Sequence, residues 1–265
     1  MRLVSFAGGF GRVVGDSVVP MGDDLVAYLS GAATVEVQPR PLSGLHLLAP
    51  IQRPDKIICV GLNYRDHAAE TGQAVPDEPI LFAKFSTSVI GPGAAVRLPK
   101  IAPDCVDYEA ELAVVIGTAA SRVSVQKALE HVAGYACAND VSARDLQGRG
   151  GQWLHGKAID SFLPLGPWMV TADEIPDPQG LSIRCFVNGE LMQDSNTKQM
   201  VFGVSQLVSF ISQTITLSPG DVICTGTPPG VGVARKPARY LRAGDEVTVS
   251  IGGVGELTNP IHAEA

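Results

Sequence analysis

The apolar positions of this chain fall mostly in short runs closed by Gly, Pro, Asn or Asp, a pattern that predicts strands more often than helices. The run Asp107-Tyr108-Glu109-Ala110-Glu111-Leu112-Ala113-Val114-Val115-Ile116-Gly117 organises the rest. Side chains alternate across a strand, so Glu109 and Glu111 share a face, and beyond them both faces are apolar, which marks a strand interior to a sheet. Two neighbouring acids at the mouth of such a strand repel one another and are poorly solvated, so a positive partner is expected between them. A solvated Glu pair at a strand end is the alternative.

Residues 3–6, 12–14 and 17–19 read as strands joined by glycine turns, and Asp23-Asp24 caps a short helix over 25–29. Residues 56–61 predict a buried strand that breaks at Gly61 into a helical turn with Asn63 as its N-cap. On that turn His67 and Glu70 are neighbours on one face, as a carboxylate and an imidazole must be to share a proton; an exposed surface helix carries the same spacing. Residues 79–85 predict another strand and 124–132 a helix. A strand over 134–140 ends on Asp140, either a third acid of the same site or an N-cap for the following turn. After the glycine-rich loop 148–151, Lys157 enters an apolar passage. It can neutralise a substrate carboxylate or oxyanion, or lay its stem along the surface with its head in water. Val187-Asn188-Gly189-Glu190 predicts a type I′ hairpin turn, 206–212 a helix and 246–251 a strand, while Thr227 stands where a strand opens into a loop of Gly and Pro. Residues 1–52 contain no cluster of catalytic side chains and are expected to form a small structural N-terminal region, with 53–265 the catalytic domain.

Composition narrows the class. The 265 residues are 45% hydrophobic and 18% charged, with 29 Gly and 19 Pro, which favours a turn-rich, β-rich α+β protein over a helical bundle or a disordered chain. A formal net charge of −7 gives no general attraction to nucleic acid or to anionic lipid, and leaves room for a locally positive pocket that holds a small anionic substrate. The five cysteines contain no C-x-x-C pair and read as reduced core residues. The start of the chain lacks a charged leader followed by an apolar block, and no run of apolar residues is long enough to span a bilayer, so a cytoplasmic protein is expected. The glycine-rich loop after Thr225 lacks the G-K-[ST] of a phosphate-binding loop, and G-x-S-x-G and H-E-x-x-H are absent too. With no Cys or His beside Glu109 and Glu111, an all-oxygen site for Mg²⁺ is favoured, with Mn²⁺ or Ca²⁺ as substitutes.

Five ordered blocks then carry a resemblance: Gly61-Leu62-Asn63-Tyr64 with His67 and Glu70; Asp107 to Leu112; Asn139-Asp140 with Ala143-Arg144-Asp145-Leu146-Gln147; Gly156-Lys157; and Thr225-Gly226-Thr227-Pro228. Together they resemble the fumarylacetoacetate hydrolase family, in its smaller bacterial acylpyruvate hydrolase and 2-hydroxyhepta-2,4-diene-1,7-dioate isomerase type. The resemblance implies a mixed β-sandwich roll with short flanking helices, and a homodimer. It implies Glu109, Glu111 and Asp140 as Mg²⁺ ligands, Lys157 and Thr227 as contacts to substrate oxygens, and Arg144 and Gln147 as further pocket residues. His67 with Glu70 becomes a catalytic pair on a lid. Ala158, Phe85 and Pro229 depart from residues common in the family, which leaves substrate choice open.

The activity so implied is metal-dependent hydrolysis of a C–C bond in a 1,3-diketo acid of the acylpyruvate or fumarylpyruvate type, with an enolate stabilised by metal and lysine and water deprotonated by Glu70. Decarboxylation of an oxaloacetate-type acid and isomerisation of an unsaturated 2-oxo diacid use the same enolate. A non-catalytic, metal-stabilised binding protein would keep the three acids but have no need of His67, Glu70 and Lys157.

Overall fold

The computed structural model describes residues 1–264. Its principal strands are β1 (Arg2–Phe6), β2 (Gly9–Val14), β3 (Ser17–Gly22), β4 (Ile57–Gly61), β5 (Ile80–Lys84), β6 (Val96–Leu98), β7 (Ala110–Ile116), β8 (Val132–Asn139), β9 (Leu163–Thr171), β10 (Ser182–Val187), β11 (Glu190–Asn196), β12 (Val222–Cys224), β13 (Glu246–Ile251) and β14 (Gly255–Ala263). The large sheet runs β3-β2-β1-β9-β8-β7-β12-β4-β5, and a second sheet runs β11-β10-β13-β14-β6. Most pairs are antiparallel, but β12 with β4 and β14 with β6 are parallel, so both sheets are mixed. Through the β1–β9 pairing the N-terminal strands continue the large sheet.

Strand β7 shows why this sequence makes two cores. Its even-numbered residues Leu112, Val114 and Ile116 join the core shared with the second sheet, whereas Ala113 and Val115 face the opposite core, closed by Leu3, Phe10 and Ile51. Every residue of β7 is buried. Glu111 lies on the odd-numbered face, so the candidate site grows from the edge of that second core.

Helices are few and short: α1 (Leu25–Leu29), α2 (Arg65–Thr71), α3 (Arg144–Gln147), α4 (Leu154–Lys157) and α5 (Val204–Ser212). Asp24 caps α1 by accepting from the Val26 and Ala27 N–H groups. At the hairpin, Asn188 and Gly189 take φ of 52° and 79°, the left-handed pair that a type I′ turn demands. The helix expected over 124–132 shrinks to a 3₁₀ turn at Ala128–His131, because Val125 and Leu129 stay exposed and leave no apolar stripe to bury. Asn63 does not cap α2: Tyr64 takes the N-cap position, and the Asn63 amide instead donates to the Phe202 and Thr225 carbonyls and accepts from the Phe202 N–H, joining three loops. Among the described residues no helix is long and apolar enough to cross a membrane.

Candidate active site

Strand register assembles the acids. Ala110 pairs with Asn139 and Glu111 with Ala138, so Glu109 and Asp140 sit side by side at the end of the β7–β8 ladder, with Asp140 N–H donating to the Glu109 carbonyl at 2.9 Å. Asn139 fixes that end by accepting from Glu109 N–H at 2.9 Å. One oxygen each of Glu109, Glu111 and Asp140 lies within 4.8 Å of the others, and all three residues are buried.

Three cations meet these acids. Lys157 Nζ lies 2.6 Å from Glu109 Oε2 and 2.7 Å from Asp140 Oδ2. Lys84 Nζ, from β5, lies 2.5 Å from Asp140 Oδ1. Arg144 bridges Glu109 Oε1 at 2.7 Å and Asp107 Oδ2 at 2.8 Å. Lys157, Lys84 and Arg144 thus answer Glu109, Asp140 and Asp107 charge for charge, and Glu111 makes no ion pair among the described residues. It accepts a hydrogen bond from Gly226 N–H at 2.9 Å.

The electrostatics follow from that imbalance. Burial pushes Glu109 up, but Lys157 and Arg144 outweigh it and hold the carboxyl down at about 2. Burial and then the neighbouring Asp140, Cys59 and Glu109 push Glu111 well above the usual carboxylate range. Burial alone would lower Lys157, yet Asp140 and Glu109 raise it above the ordinary lysine value and keep it charged. Glu111 is thus a buried carboxylate without a counter-charge beside two others that have theirs, and the three together make a donor set that fits a cation. All-oxygen donors of this kind suit a hard divalent ion.

The acids open onto a cleft of about 450 Å³. His67, Glu109, Glu111, Arg144, Lys157 and Thr227 line it, as does Gln147, whose Oε1 accepts from Arg144 Nη1 at 3.0 Å. Asp140 lies behind Lys157. Glu70 lies behind His67: its Oε2 is 2.9 Å from His67 Nδ1, and its Oε1 accepts from Gly230 N–H at 2.9 Å. Helix α2 carries this pair and is tied down by Arg65 to the Met200 carbonyl and by Asp66, which accepts from Ser195 Oγ at 2.5 Å. The structure therefore brings all nine residues singled out in the sequence to one place.

Four further residues belong to the site and carry little or no signal in the sequence. Lys84 could have been noticed as a lysine inside the apolar run Ile80-Leu81-Phe82-Ala83-Lys84-Phe85. Asp107 is wholly buried, pairs with Arg144 and accepts from the Gly232 and Val233 N–H groups. Gln193, from β11, donates to Thr227 Oγ1 at 2.8 Å and accepts from Ala110 N–H at 2.9 Å, locking the threonine to the acidic strand. Trp153 forms part of the cleft wall.

Comparison with known proteins agrees with this geometry. The family model described as fumarylacetoacetate (FAA) hydrolase, C-terminal, matches residues 56–262. The mitochondrial oxaloacetate tautomerase fahd2 of Xenopus laevis is 52% identical over 221 residues, 83% of this chain and 69% of that protein. The human mitochondrial oxaloacetate tautomerase FAHD2A is 51% identical over 238 residues, 89% of this chain and 75% of that protein. Among solved structures, the 2-hydroxyhepta-2,4-diene-1,7-dioate isomerase of Mycobacterium marinum superposes with a TM-score of 0.86 at 36% identity, covering 100% of this chain and 99% of that one. The fumarylacetoacetate hydrolase of Exiguobacterium antarcticum does so with a TM-score of 0.88 at 37% identity, each chain covered in full at 100%. With its matched span, its roll of mixed sheets and its cluster of buried acids, this chain belongs to the fumarylacetoacetate hydrolase family.

Proposed function

We propose that this protein catalyses keto–enol exchange in a small 2-oxo dicarboxylic acid of the oxaloacetate class. The observation that carries the reading is the order of the His67–Glu70 pair. His67 lines the cleft with Nδ1 held by Glu70, which leaves Nε2 as its free nitrogen, while both Glu70 oxygens are engaged by His67 and Gly230. That arrangement supports proton transfer by His67 with Glu70 as its orienting partner. Glu70 as the direct base for water, the role that the sequence resemblance suggests for C–C hydrolysis, would have to use the remaining lone pairs of oxygens already turned toward His67 and Gly230. The names of the curated relatives, oxaloacetate tautomerases about half identical to this chain, favour the same choice.

In this reading Glu109, Glu111 and Asp140 hold a divalent cation, Mg²⁺ first and Mn²⁺ or Ca²⁺ as substitutes. Bound there, such an ion supplies Lewis-acid polarisation of the 2-oxo group. Arg144 and Lys157 attract the substrate carboxylate and stabilise negative charge growing on the 2-oxo oxygen. Two Lys157 protons are committed to Glu109 and Asp140, and an ammonium carries three, so one remains for the cleft. Because Lys157 is held in its charged form, it acts as a hydrogen-bond donor and does not give up its proton. His67 Nε2 takes a proton from carbon 3; the 2-oxo oxygen gains one from solvent, and His67 returns its own to solvent. The reverse sequence converts enol to ketone.

The test follows the ultraviolet absorbance of enol-oxaloacetate after addition of protein with Mg²⁺, with EDTA as control, while pyruvate release and acetylpyruvate loss are measured in parallel. Metal-dependent enol decay without pyruvate release is expected. Stoichiometric acetate and pyruvate from acetylpyruvate, with no effect on enol decay, would return the protein to the hydrolases. CO₂ and pyruvate from oxaloacetate would make it a decarboxylase.

A further inference from the structure

We propose that Trp153 is the residue that sets how long a chain the substrate carries beyond its reacting carbon; the inference rests on the 2-oxo acid reading above. Trp153 and Lys157 are four positions apart on one turn, the Trp153 carbonyl accepting from Lys157 N–H at 3.1 Å, so both present their side chains on the same side of the polypeptide. Both line the cleft. Lys157 marks the charged end where the substrate's oxygens bind, and the Trp153 backbone stands one helical turn, about 6 Å, before that of Lys157. Phe82 fills the space between them: Lys157 Nζ lies 5.1 Å from its ring centre, and the Trp153 ring meets it edge-on at 5.4 Å and 69°.

The indole is backed on two sides. Its six-membered ring lies against Gly61, where a methyl group would fall inside the distance that non-bonded carbons tolerate, and Phe82 blocks a second side. Gly61 is therefore not needed for an unusual backbone angle; it is needed for the room it gives the indole. Trp153 also opens α4, directly after the loop 148–152 in which Gly150 and Gly151 take φ of 67° and 73°. The wall is thus fastened to the helical turn that carries Lys157, and the Phe82 ring packs against both the ammonium and the indole. The chemical class admitted is a 2-oxo acid with a short substituent on carbon 3.

A homologous series of straight-chain 2-oxo acids, pyruvate to 2-oxooctanoate, measures where that limit falls. Binding is read by calorimetry in the presence of Mg²⁺, and hydrogen–deuterium exchange at carbon 3 by NMR, for the wild type and for Trp153→Ala, Trp153→Phe and Gly61→Ala. Melting temperature and Mg²⁺ binding serve as controls for folding. Wild-type affinity is expected to break at the chain length that reaches the indole. Trp153→Ala moves the break to longer chains, improving the long-to-short affinity ratio about tenfold or more, and Trp153→Phe moves it part of the way. Gly61→Ala displaces the ring and lowers the ratio. Identical chain-length profiles in folded wild type and Trp153→Ala would overturn the proposal, as would failure of the wild type to bind any member of the series. Normal binding ratios without carbon 3 exchange would sink the proton-transfer reading and leave the size limit standing, since binding alone defines it.

Discussion

Lys84 and Asp140 form a 2.5 Å ion pair in which neither side chain is exposed to solvent. Lys84 also donates to the Val141 carbonyl at 3.1 Å, so the lysine fixes both the side chain and the following backbone of one of the three clustered acids. A pair this deeply buried gains little over an apolar pair of the same shape, but breaking it strands a charge.

Replacing Lys84 with Met is therefore expected to cost about 3 kcal/mol of stability, the low end of the range for a broken buried pair, because Lys157 still faces Asp140 Oδ2 at 2.7 Å. Asp140 becomes a freer ligand, so added Mg²⁺ recovers more of the lost melting temperature in the variant than it adds to the wild type. Calorimetric melts with and without Mg²⁺ check this. An unchanged metal-free melting temperature would mean that Asp140 is compensated in another way.

Glu111 sets the pH response of the metal-free protein. Its carboxyl is pushed up by burial and then by Asp140, Cys59 and Glu109, while the unfolded chain titrates near the ordinary 4.5. The folded form thus keeps a proton that the unfolded form loses. That contribution to stability is complete below the unfolded value and is lost as pH rises through the folded one. A cation among the acids substitutes for the proton, so Mg²⁺ binding releases protons and its affinity falls as pH falls. Glu111→Gln is expected to be at least as stable as the metal-free wild type at neutral pH and to gain nothing from Mg²⁺. Melts across pH, with and without EDTA, decide the matter; a Glu111→Gln protein stabilised by Mg²⁺ to the wild-type extent would remove Glu111 from the metal site.

Glu70 and His67 are expected to fail differently. Glu70→Gln keeps a hydrogen bond to Nδ1 but removes the charge that steadies a protonated ring, which lowers kcat with KM little changed. His67→Asn removes the proton carrier and lowers kcat by about 10²–10⁴. Steady-state kinetics on oxaloacetate separate the two. Equal loss in both variants, with lost ordering of α2 by amide exchange, would assign the pair to lid structure.

Much of this site could be read along the chain because its residues cluster in short ordered blocks. Glu109 and Glu111 stand out by sharing one face of an otherwise apolar strand, whereas the spacing of His67 and Glu70 fits an exposed helix equally well and only the resemblance marks them as a pair. What could not be read depends on contacts between distant segments. Asp107 pairs with Arg144 and receives the Gly232 amide, and Gln193 reaches Thr227 from the second sheet; neither leaves a local pattern. Asn63 had the right chemistry for an N-cap, yet tertiary partners on 202 and 225 claimed its amide. The helix expected over 124–132 failed for a related reason, since apolar spacing folds a helix only where a core is present to cover it.

The most direct measurement is the rate of hydrogen–deuterium exchange at carbon 3 of oxaloacetate, followed by ¹H NMR in D₂O with Mg²⁺, for wild type and His67→Asn at matched, folded concentrations. The account predicts rapid exchange by the wild type, loss of that exchange with EDTA, and a rate near the uncatalysed background for His67→Asn. Exchange by the variant at the wild-type rate, with metal still bound, would contradict it and place the proton carrier elsewhere in the cleft.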